Sequence, residues 1–113
     1  MGAVSKSDID KSFGKILRDF RIHNKLTQEQ LSEKLGISLK YISRIENGNN
    51  GVKTQTLINY MNILGITPDL LYKPFITDKT VIENIEISEK ISSLSEDKKD
   101  FLISIIDLLK NLE

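Results

Sequence analysis

Hydrophobic residues recur at intervals of three and four along much of the chain, the spacing that aligns side chains on one face of an α-helix. Four such stripes lie within residues 8–24, 28–35, 39–47 and 55–64. Pro68 suits the first position of a short fifth helix, in which Leu70 and Leu71 would face inward. Since no strand pattern competes here, we predict an all-α unit of five helices within a domain of residues 1–72.

The boundary between the second and third helices carries clear local signals. Thr27 can cap the second helix, and Gln30, three residues later, completes a capping box. Gly36 suits the left-handed position that ends this helix, and Ser38 can cap the next one. Two short helices joined by a tight glycine turn are typical of a helix-turn-helix, a motif that places its second helix in the major groove of DNA.

The rest of the chain is predicted to form a linker and two further helices. Residues 73–80 include the proline that stops the fifth helix and are interpreted as the linker. Residues 81–94 can be read in two ways. Ile87 and Ile91 have helical spacing, whereas Ile85 and Ile87 alternate as in a strand. We favour the helix.

The last predicted helix, which begins after Ser95, has an unusually wide apolar surface. Its arc exceeds the roughly 100° stripe that packing against one neighbour requires. Because the first five helices have a core of their own, we expect residues 81–113 to form a helical hairpin extension that pairs with a second copy of the chain. The predicted dimerisation residues are Phe101, Leu102, Ile105, Ile106, Leu108, Leu109 and Leu112.

The composition narrows the class of protein. The chain has no cysteine, which excludes disulfides and thiolate metal sites. Its polar N-terminal residues lack the apolar core of a signal peptide, and no apolar run approaches the roughly 18 residues that a membrane-crossing helix needs. We therefore expect a cytoplasmic protein with no membrane partner.

The net charge of zero conceals a difference between the two ends of the chain. Residues 1–74 contain 11 Lys and Arg against 7 Asp and Glu, whereas residues 75–113 contain 5 against 9. A basic head with an acidic tail fits a head that binds a polyanion, although a difference of this size also arises by chance.

No combination of residues in the sequence points to catalysis. His23 is the only histidine, and its position at the end of an amphipathic helix favours packing or surface exposure. The sequence has no phosphate-cradling glycine loop, no recognisable pair of catalytic carboxylates and no metal-ligand cluster. We therefore predict that the chain is not an enzyme and that it holds no metal or cofactor.

Six short segments form one recognisable set: Phe13–Ile16, Phe20–Arg21, Leu26–Leu31, Leu35–Ser38, Tyr41–Gly48 and Leu64–Leu71. Together they resemble the lambda-repressor-like, or xenobiotic-response-element, family of helix-turn-helix regulators over residues 13–72. The resemblance implies a five-helix bundle that binds operator DNA as a dimer. The sequence departs from the family pattern at Ser32, where alanine is usual, and at Val52 and Lys53, where a proline often opens the fourth helix.

The outward face of the third helix carries the residues that would read DNA. Arg44 can make two hydrogen bonds to guanine, and Lys40 suits guanine or phosphate. Asn47 would bind adenine, contact phosphate or cap the following loop, and Leu39 would meet a thymine methyl group or the core. An ordinary solvated helix face is the alternative. The predicted DNA-binding residues are Gln28, Ser38, Leu39, Lys40, Tyr41, Ser43, Arg44, Asn47 and Lys53.

Other residues are expected to anchor the DNA backbone or the reading helix. Gln28 opens the second helix, where backbone amides and the helix dipole attract a phosphate. Tyr41 would donate to a phosphate or lie on the bundle surface, and Lys53 is a candidate phosphate contact in the loop. The family resemblance implies that Arg21 and Glu46 meet as a partly buried ion pair that fixes the angle of the third helix.

These observations predict a sequence-specific DNA-binding transcriptional regulator, a repressor that binds a palindromic operator as a homodimer. The alternative is a protein-interaction module of the same fold, whose main partner is a toxin or an antirepressor and for which DNA binding is secondary. Lys40 and Arg44 favour the first reading, because an interaction module has no need for cations on that face.

Overall fold

A computed structural model describes residues 3–113 of the chain, so the first two residues of the polar N-terminus lie outside the described part. All regular structure in the described part is helical, as predicted. The helices are α1 (Lys6–His23), α2 (Gln28–Leu35), α3 (Leu39–Glu46), α4 (Thr54–Leu64), α5 (Pro68–Tyr72), a 3₁₀ turn (Lys73–Phe75), α6 (Lys79–Ser92) and α7 (Glu96–Lys110).

The predicted caps between α2 and α3 are present as hydrogen bonds. The Thr27 hydroxyl accepts the N–H of Gln30 at 3.0 Å, and the Gln30 side chain accepts the N–H of Thr27 at 2.9 Å. Gly36 ends α2 with φ 66°, and the Ser38 hydroxyl accepts the first-turn N–H of α3 at 3.0 Å. Ser32 donates its hydroxyl hydrogen to the carbonyl of Ile37. The serine that stands in place of the usual alanine therefore stabilises the turn between α2 and α3.

The first helix begins earlier than its apolar stripe predicted. Its cap is Ser5, whose hydroxyl accepts the N–H of Asp8 at 3.2 Å, and the helix therefore starts at Lys6 rather than Asp8. The stripe located the buried face but not the polar first turn, because polar residues in that turn carry no apolar periodicity.

The core of the five-helix unit is formed by one apolar residue or more from each helix. α1 and α3 approach closely because Gly14 has no side chain: a Cβ there would overlap the carbonyl oxygen of Ile45. This contact sets the distance between the first helix and the predicted reading helix. The buried core residues are Phe13, Leu17, Leu31, Ile42, Ile45, Leu57, Tyr60, Leu64, Ile66 and Leu71.

The chain divides into two compact units, Met1–Phe75 and Ile76–Glu113. The division falls inside the segment predicted as a linker, residues 73–80. The first part of that segment is the 3₁₀ turn, and it belongs to the first unit because the ring of Phe75 lies edge-on to the ring of Phe13, with centroids 6.3 Å apart.

The second unit contains two helices. Asp78 caps α6 by accepting the N–H of Val81 at 3.0 Å, so the ambiguous residues 81–94 are largely helical and the strand reading of that segment is wrong. Ser95 occupies the cap position of α7 without a side-chain hydrogen bond. No residue of α7 is buried. Across residues 3–113, no helix combines the length and apolar character that crossing a membrane requires.

Candidate nucleic-acid interface

The third helix has two clearly different faces. Ile42 and Ile45 are fully buried and hold the helix on the bundle. On the other side Lys40 and Arg44 are exposed, and Leu39 has 41% of its surface exposed. Of the two environments expected for Leu39, the outward one is therefore observed.

The two cations of this face are free to meet a ligand. Lys40 and Arg44 stand four residues apart, which places them one turn apart on the helix. Within residues 3–113, neither side chain makes a hydrogen bond or an ion pair. Two unpaired cations on a rigid helix form a surface suited to phosphates and to the acceptor edge of guanine.

Polar residues lie at both ends of α3, where the sequence predicted Ser38 as the N-cap and gave capping as one role of Asn47. The helix ends at Glu46, so Asn47 is its C-cap, with its N–H bonded to the carbonyl of Ser43 at 3.0 Å and its side chain exposed. Ser38 uses its hydroxyl as the N-cap acceptor. Ser43 is half-buried beside the outward cations.

Tyr41 and Lys53 are brought together by a direct hydrogen bond. The phenolic oxygen of Tyr41 accepts the backbone N–H of Lys53 at 3.2 Å, while its ring packs on the edge of the core. The phenolic hydrogen remains available to donate to a phosphate. Lys53 itself is the N-cap residue of α4, and its side chain is exposed.

Arg21 and Glu46 form an ion pair with two contacts between α1 and α3. Arg21 Nε lies 2.7 Å from Glu46 Oε2, and Arg21 Nη2 lies 2.9 Å from Oε1. The side chains are only 11% and 1% exposed. A third guanidinium donor reaches the carbonyl of Leu26 at 2.8 Å. The hydrogen bonds that Arg21 donates to Glu46 raise the pKa of Arg21 above its usual value, against the opposing effect of burial.

The side chain of Gln28 belongs to this same network. Its Nε2 donates to Glu46 Oε1 at 3.1 Å, so the side chain turns inward, while its backbone amide stands at the start of α2 as predicted. The inward role was missed because nothing local links residues 28 and 46; only the folded bundle brings them together.

Tyr60 is a buried residue that the sequence interpretation overlooked. Its ring is fully buried in α4, and its hydroxyl makes no hydrogen bond within the described residues. Burial, together with the nearby charge of Glu46, raises the pKa of Tyr60 well above its usual value. Its position three residues after Leu57 and four before Leu64 was the available signal for the core.

A helix-turn-helix whose second helix presents exposed cations is typical of DNA-binding domains. Residues 17–71 match the family model described as helix-turn-helix. The resemblance to lambda-repressor-like regulators is thereby confirmed. Within residues 3–113, no group of three or more His, Asp or Glu side chains could hold a metal ion.

Two relatives come from Bacillus subtilis (strain 168). The chain is 45% identical over 65 residues to the HTH-type transcriptional repressor RghR, covering 56% of this chain and 48% of that protein. It is 38% identical over 61 residues to the uncharacterized HTH-type transcriptional regulator YqaE, covering 54% and 53%. The chain thus spans about half the length of these relatives. Both relatives are named as transcriptional regulators.

Two solved structures share the fold. A point mutant of the restriction-modification controller protein C.Esp1396I aligns with a TM-score of 0.52 at 22% identity, covering 60% of this chain and 96% of that one. The clp gene regulator ClgR from Corynebacterium glutamicum aligns with a TM-score of 0.50 at 21% identity, covering 93% and 90%. The second alignment extends beyond the five-helix unit, which accords with the predicted all-α fold.

Proposed function

We propose that this chain is a transcriptional repressor that binds a two-fold symmetric DNA operator as a homodimer. The observation that carries the proposal is the outward face of α3, where Lys40 and Arg44 are exposed and unpaired within residues 3–113. In the major groove, Arg44 would bind the O6 and N7 acceptors of guanine. Lys40 would contact guanine or phosphate, and Leu39 would contact a thymine methyl group.

Groups on either side of this face would hold the DNA backbone. The amide of Gln28 lies at the positive end of α2, and the Tyr41 hydroxyl lies beside the backbone of Lys53 at the start of α4. Phosphate contacts set the orientation of the protein, and contacts to base edges set the sequence. Ser38, Ser43 and Asn47 complete the proposed face as polar neighbours.

Repression, rather than activation, is supported by the name of the relative RghR, which is a repressor. Blocking a promoter needs only tight occupancy of the operator, which a helix-turn-helix unit can supply without contacting the polymerase. A DNA partner also implies that the protein acts in the cytoplasm, as its composition led us to expect.

The homodimer is proposed to form through α7. Phe101, Ile105, Leu108 and Leu112 are spaced by four, three and four residues, which is the pattern of a coiled-coil seam. Each is exposed, from 37% for Ile105 to 81% for Leu112. Pairing this seam with its symmetry mate would remove it from water. The second row of the arc is formed by Leu102, Ile106 and Leu109.

Selection of binding sites from random duplex DNA tests the proposal directly. We expect a palindromic consensus whose half-sites lie about one helical turn, roughly 34 Å, apart. Affinity should fall steeply as salt rises, because each phosphate contact releases counterions. Failure to enrich any duplex, or an affinity that does not respond to salt, would overturn the proposal in favour of a protein-interaction module.

A further inference from the structure

Two asparagine–glycine pairs lie just after the proposed reading helix. They are Asn47–Gly48 and Asn50–Gly51, separated by a single residue. A glycine after asparagine leaves its backbone nitrogen sterically open, because it has no Cβ. That nitrogen can attack the asparagine side chain, which makes such pairs the most labile amides in proteins.

The structure holds the two pairs in different ways. The N–H of Gly48 donates to the carbonyl of Ile45 at 3.0 Å, and its αL backbone packs against α1, where an added Cβ would lie 2.9 Å from the Cα of Lys11. The N–H of Gly51 makes no hydrogen bond within the described residues and lies in an irregular loop. One nitrogen is therefore occupied and fixed, and the other is free.

We propose that Asn50 is a site of spontaneous deamidation and that the fold protects Asn47. The nitrogen of Gly51 attacks Cγ of Asn50, a C–N bond forms, and the side-chain nitrogen leaves as ammonia with the proton that the Gly51 nitrogen gives up. Water then opens the resulting succinimide ring. The product is aspartate or isoaspartate, so one water is consumed and one ammonia is released.

The product would alter the end of the reading helix. The N–H groups of Asn49 and Asn50 both point to the carbonyl of Arg44, at 2.9 and 3.3 Å. The backbone of residue 50 therefore lies at the C-terminus of α3, and the helix dipole there disfavours the negative charge that deamidation adds to this residue. Isoaspartate also lengthens the backbone that leads to Lys53. This consequence for DNA binding rests on the proposed function, whereas the chemistry does not.

The geometry supplies a variant that removes the reactive pair without disturbing the loop. A Cβ at Gly51 would meet only the ends of two side chains, the carboxylate of Asp10 and the ammonium of Lys6, both at 3.4 Å, and its φ lies outside the left-handed region. G51A should therefore fold normally while its methyl group hinders attack. Gly48 offers no such variant, because its φ of 74° and its contact with Lys11 both oppose a side chain.

Mass spectrometry of the intact, folded chain after prolonged incubation tests the chemistry. Trypsin releases both pairs in one peptide, Ile45–Lys53, and fragment ions distinguish its three asparagines, Asn47, Asn49 and Asn50. We expect Asn50 to deamidate about tenfold faster than Asn47, the size of effect that one backbone hydrogen bond supplies. In denaturant the two rates should converge, and G51A should suppress reaction at Asn50 about tenfold. Equal rates in the folded chain, or faster reaction at Asn47, would overturn the proposal.

Operator binding by N50D and N50Q tests whether deamidation of Asn50 weakens DNA binding. N50D copies the charge of the product and should bind several-fold more weakly, whereas N50Q keeps an amide and should bind like the wild type. Equal binding by N50D and N50Q would overturn the consequence. If the unmodified chain binds no DNA, the proposed function fails and the mass-spectrometric result stands. If Asn50 keeps its amide, this inference fails whatever the DNA result.

Discussion

Arg21 and Glu46 lie 25 positions apart in the sequence and join α1 to α3 through two parallel hydrogen bonds of 2.7 and 2.9 Å. The carboxylate also accepts from Gln28, so three helices meet at one nearly buried acidic group. Because both oxygens of Glu46 are occupied, α3 has little freedom to rotate on the bundle. The pair acts mainly on the angle at which α3 is presented, since buried ion pairs seldom add much net stability.

Glu46→Ala should leave the Arg21 guanidinium largely buried without its carboxylate partner. We expect this to lower the free energy of unfolding by roughly 3–5 kcal/mol. A double-mutant cycle with Arg21→Ala, measured by urea unfolding, should give a strong coupling energy. The exposed pair Glu96–Lys99 is the control, with Nζ and Oε1 3.4 Å apart, and its coupling should be about 0.5 kcal/mol or less. Absence of coupling between Arg21 and Glu46 would contradict the structural role given to the pair.

Arg44→Ala and Lys53→Ala should weaken DNA binding in different ways. Loss of Arg44 should cost about 1–3 kcal/mol and relax the preference at one base pair, because it is proposed to read guanine. Loss of Lys53 should weaken all sequences alike and reduce the salt slope by about 1, because it is proposed to contact phosphate. Each variant is the other's control. An unchanged consensus for both would show that Arg44 does not read a base.

Gly14→Ala should destabilise the protein although it lies in the middle of a helix, where this change usually stabilises by about 1 kcal/mol. The reversal follows because the new Cβ would overlap the carbonyl oxygen of Ile45 and lie 3.1 Å from that of Glu46. Relief of the overlap requires α1 and α3 to separate, at a cost of about 1–3 kcal/mol. Thermal unfolding would measure it, with Gly51→Ala as the tolerated control. A gain in melting temperature for Gly14→Ala would contradict the close approach of α1 and α3 at this position.

Tyr60→Phe should stabilise the protein by up to about 1–3 kcal/mol, since it removes a buried hydroxyl without a partner in the described residues. The advantage should grow in alkali. The folded state raises the pKa of Tyr60 above 10.0, so above that pH the unfolded chain loses a proton that the folded chain keeps. Ionisation of Tyr60 therefore leaves the free energy of unfolding of the wild type unchanged below pH 10. Above that pH the free energy of unfolding declines, by up to about 1.4 kcal/mol per pH unit.

Tyr72→Phe is the matched control for this measurement, because the Tyr72 side chain is exposed. Its stability should follow the wild type at neutral and alkaline pH in the same chemical-unfolding series. If Tyr60→Phe is strongly destabilising at neutral pH, the Tyr60 hydroxyl must have a hydrogen-bond partner, which would contradict its description as a buried group without one.

Local features of this fold could be predicted from sequence, and long-range ones could not. The Thr27–Gln30 capping box depends on residues three positions apart, so the sequence contains the whole motif. The bond from Gln28 to Glu46 spans 18 positions and exists only once α2 packs on α3. The orientation of a polar side chain is decided by the fold, so a residue predicted from its helix position to face DNA can turn inward.

The dimer proposal makes its sharpest prediction on α7. Leu108→Glu places a charge in the seam of Phe101, Ile105 and Leu112, where pairing with a second copy would bury it, so it should convert a dimer into a monomer. Ile103→Glu is the control, because Ile103 is 55% exposed but lies on the opposite side of the helix. Light scattering at micromolar concentration would distinguish them. A monomeric wild type, or a dimer that survives Leu108→Glu but not Ile103→Glu, would contradict the assigned seam.

Loss of the dimer should also weaken binding to the full palindrome much more than binding to a single half-site, because the two reading helices would no longer be linked. Truncation after Phe75 adds an independent check. It retains the 3₁₀ turn whose Phe75 ring packs beside Phe13, and so keeps that edge of the core intact. The shortened chain should be folded by circular dichroism, monomeric, and weak on the palindrome. A shortened chain that still dimerises would move the interface from α7 to the five-helix unit.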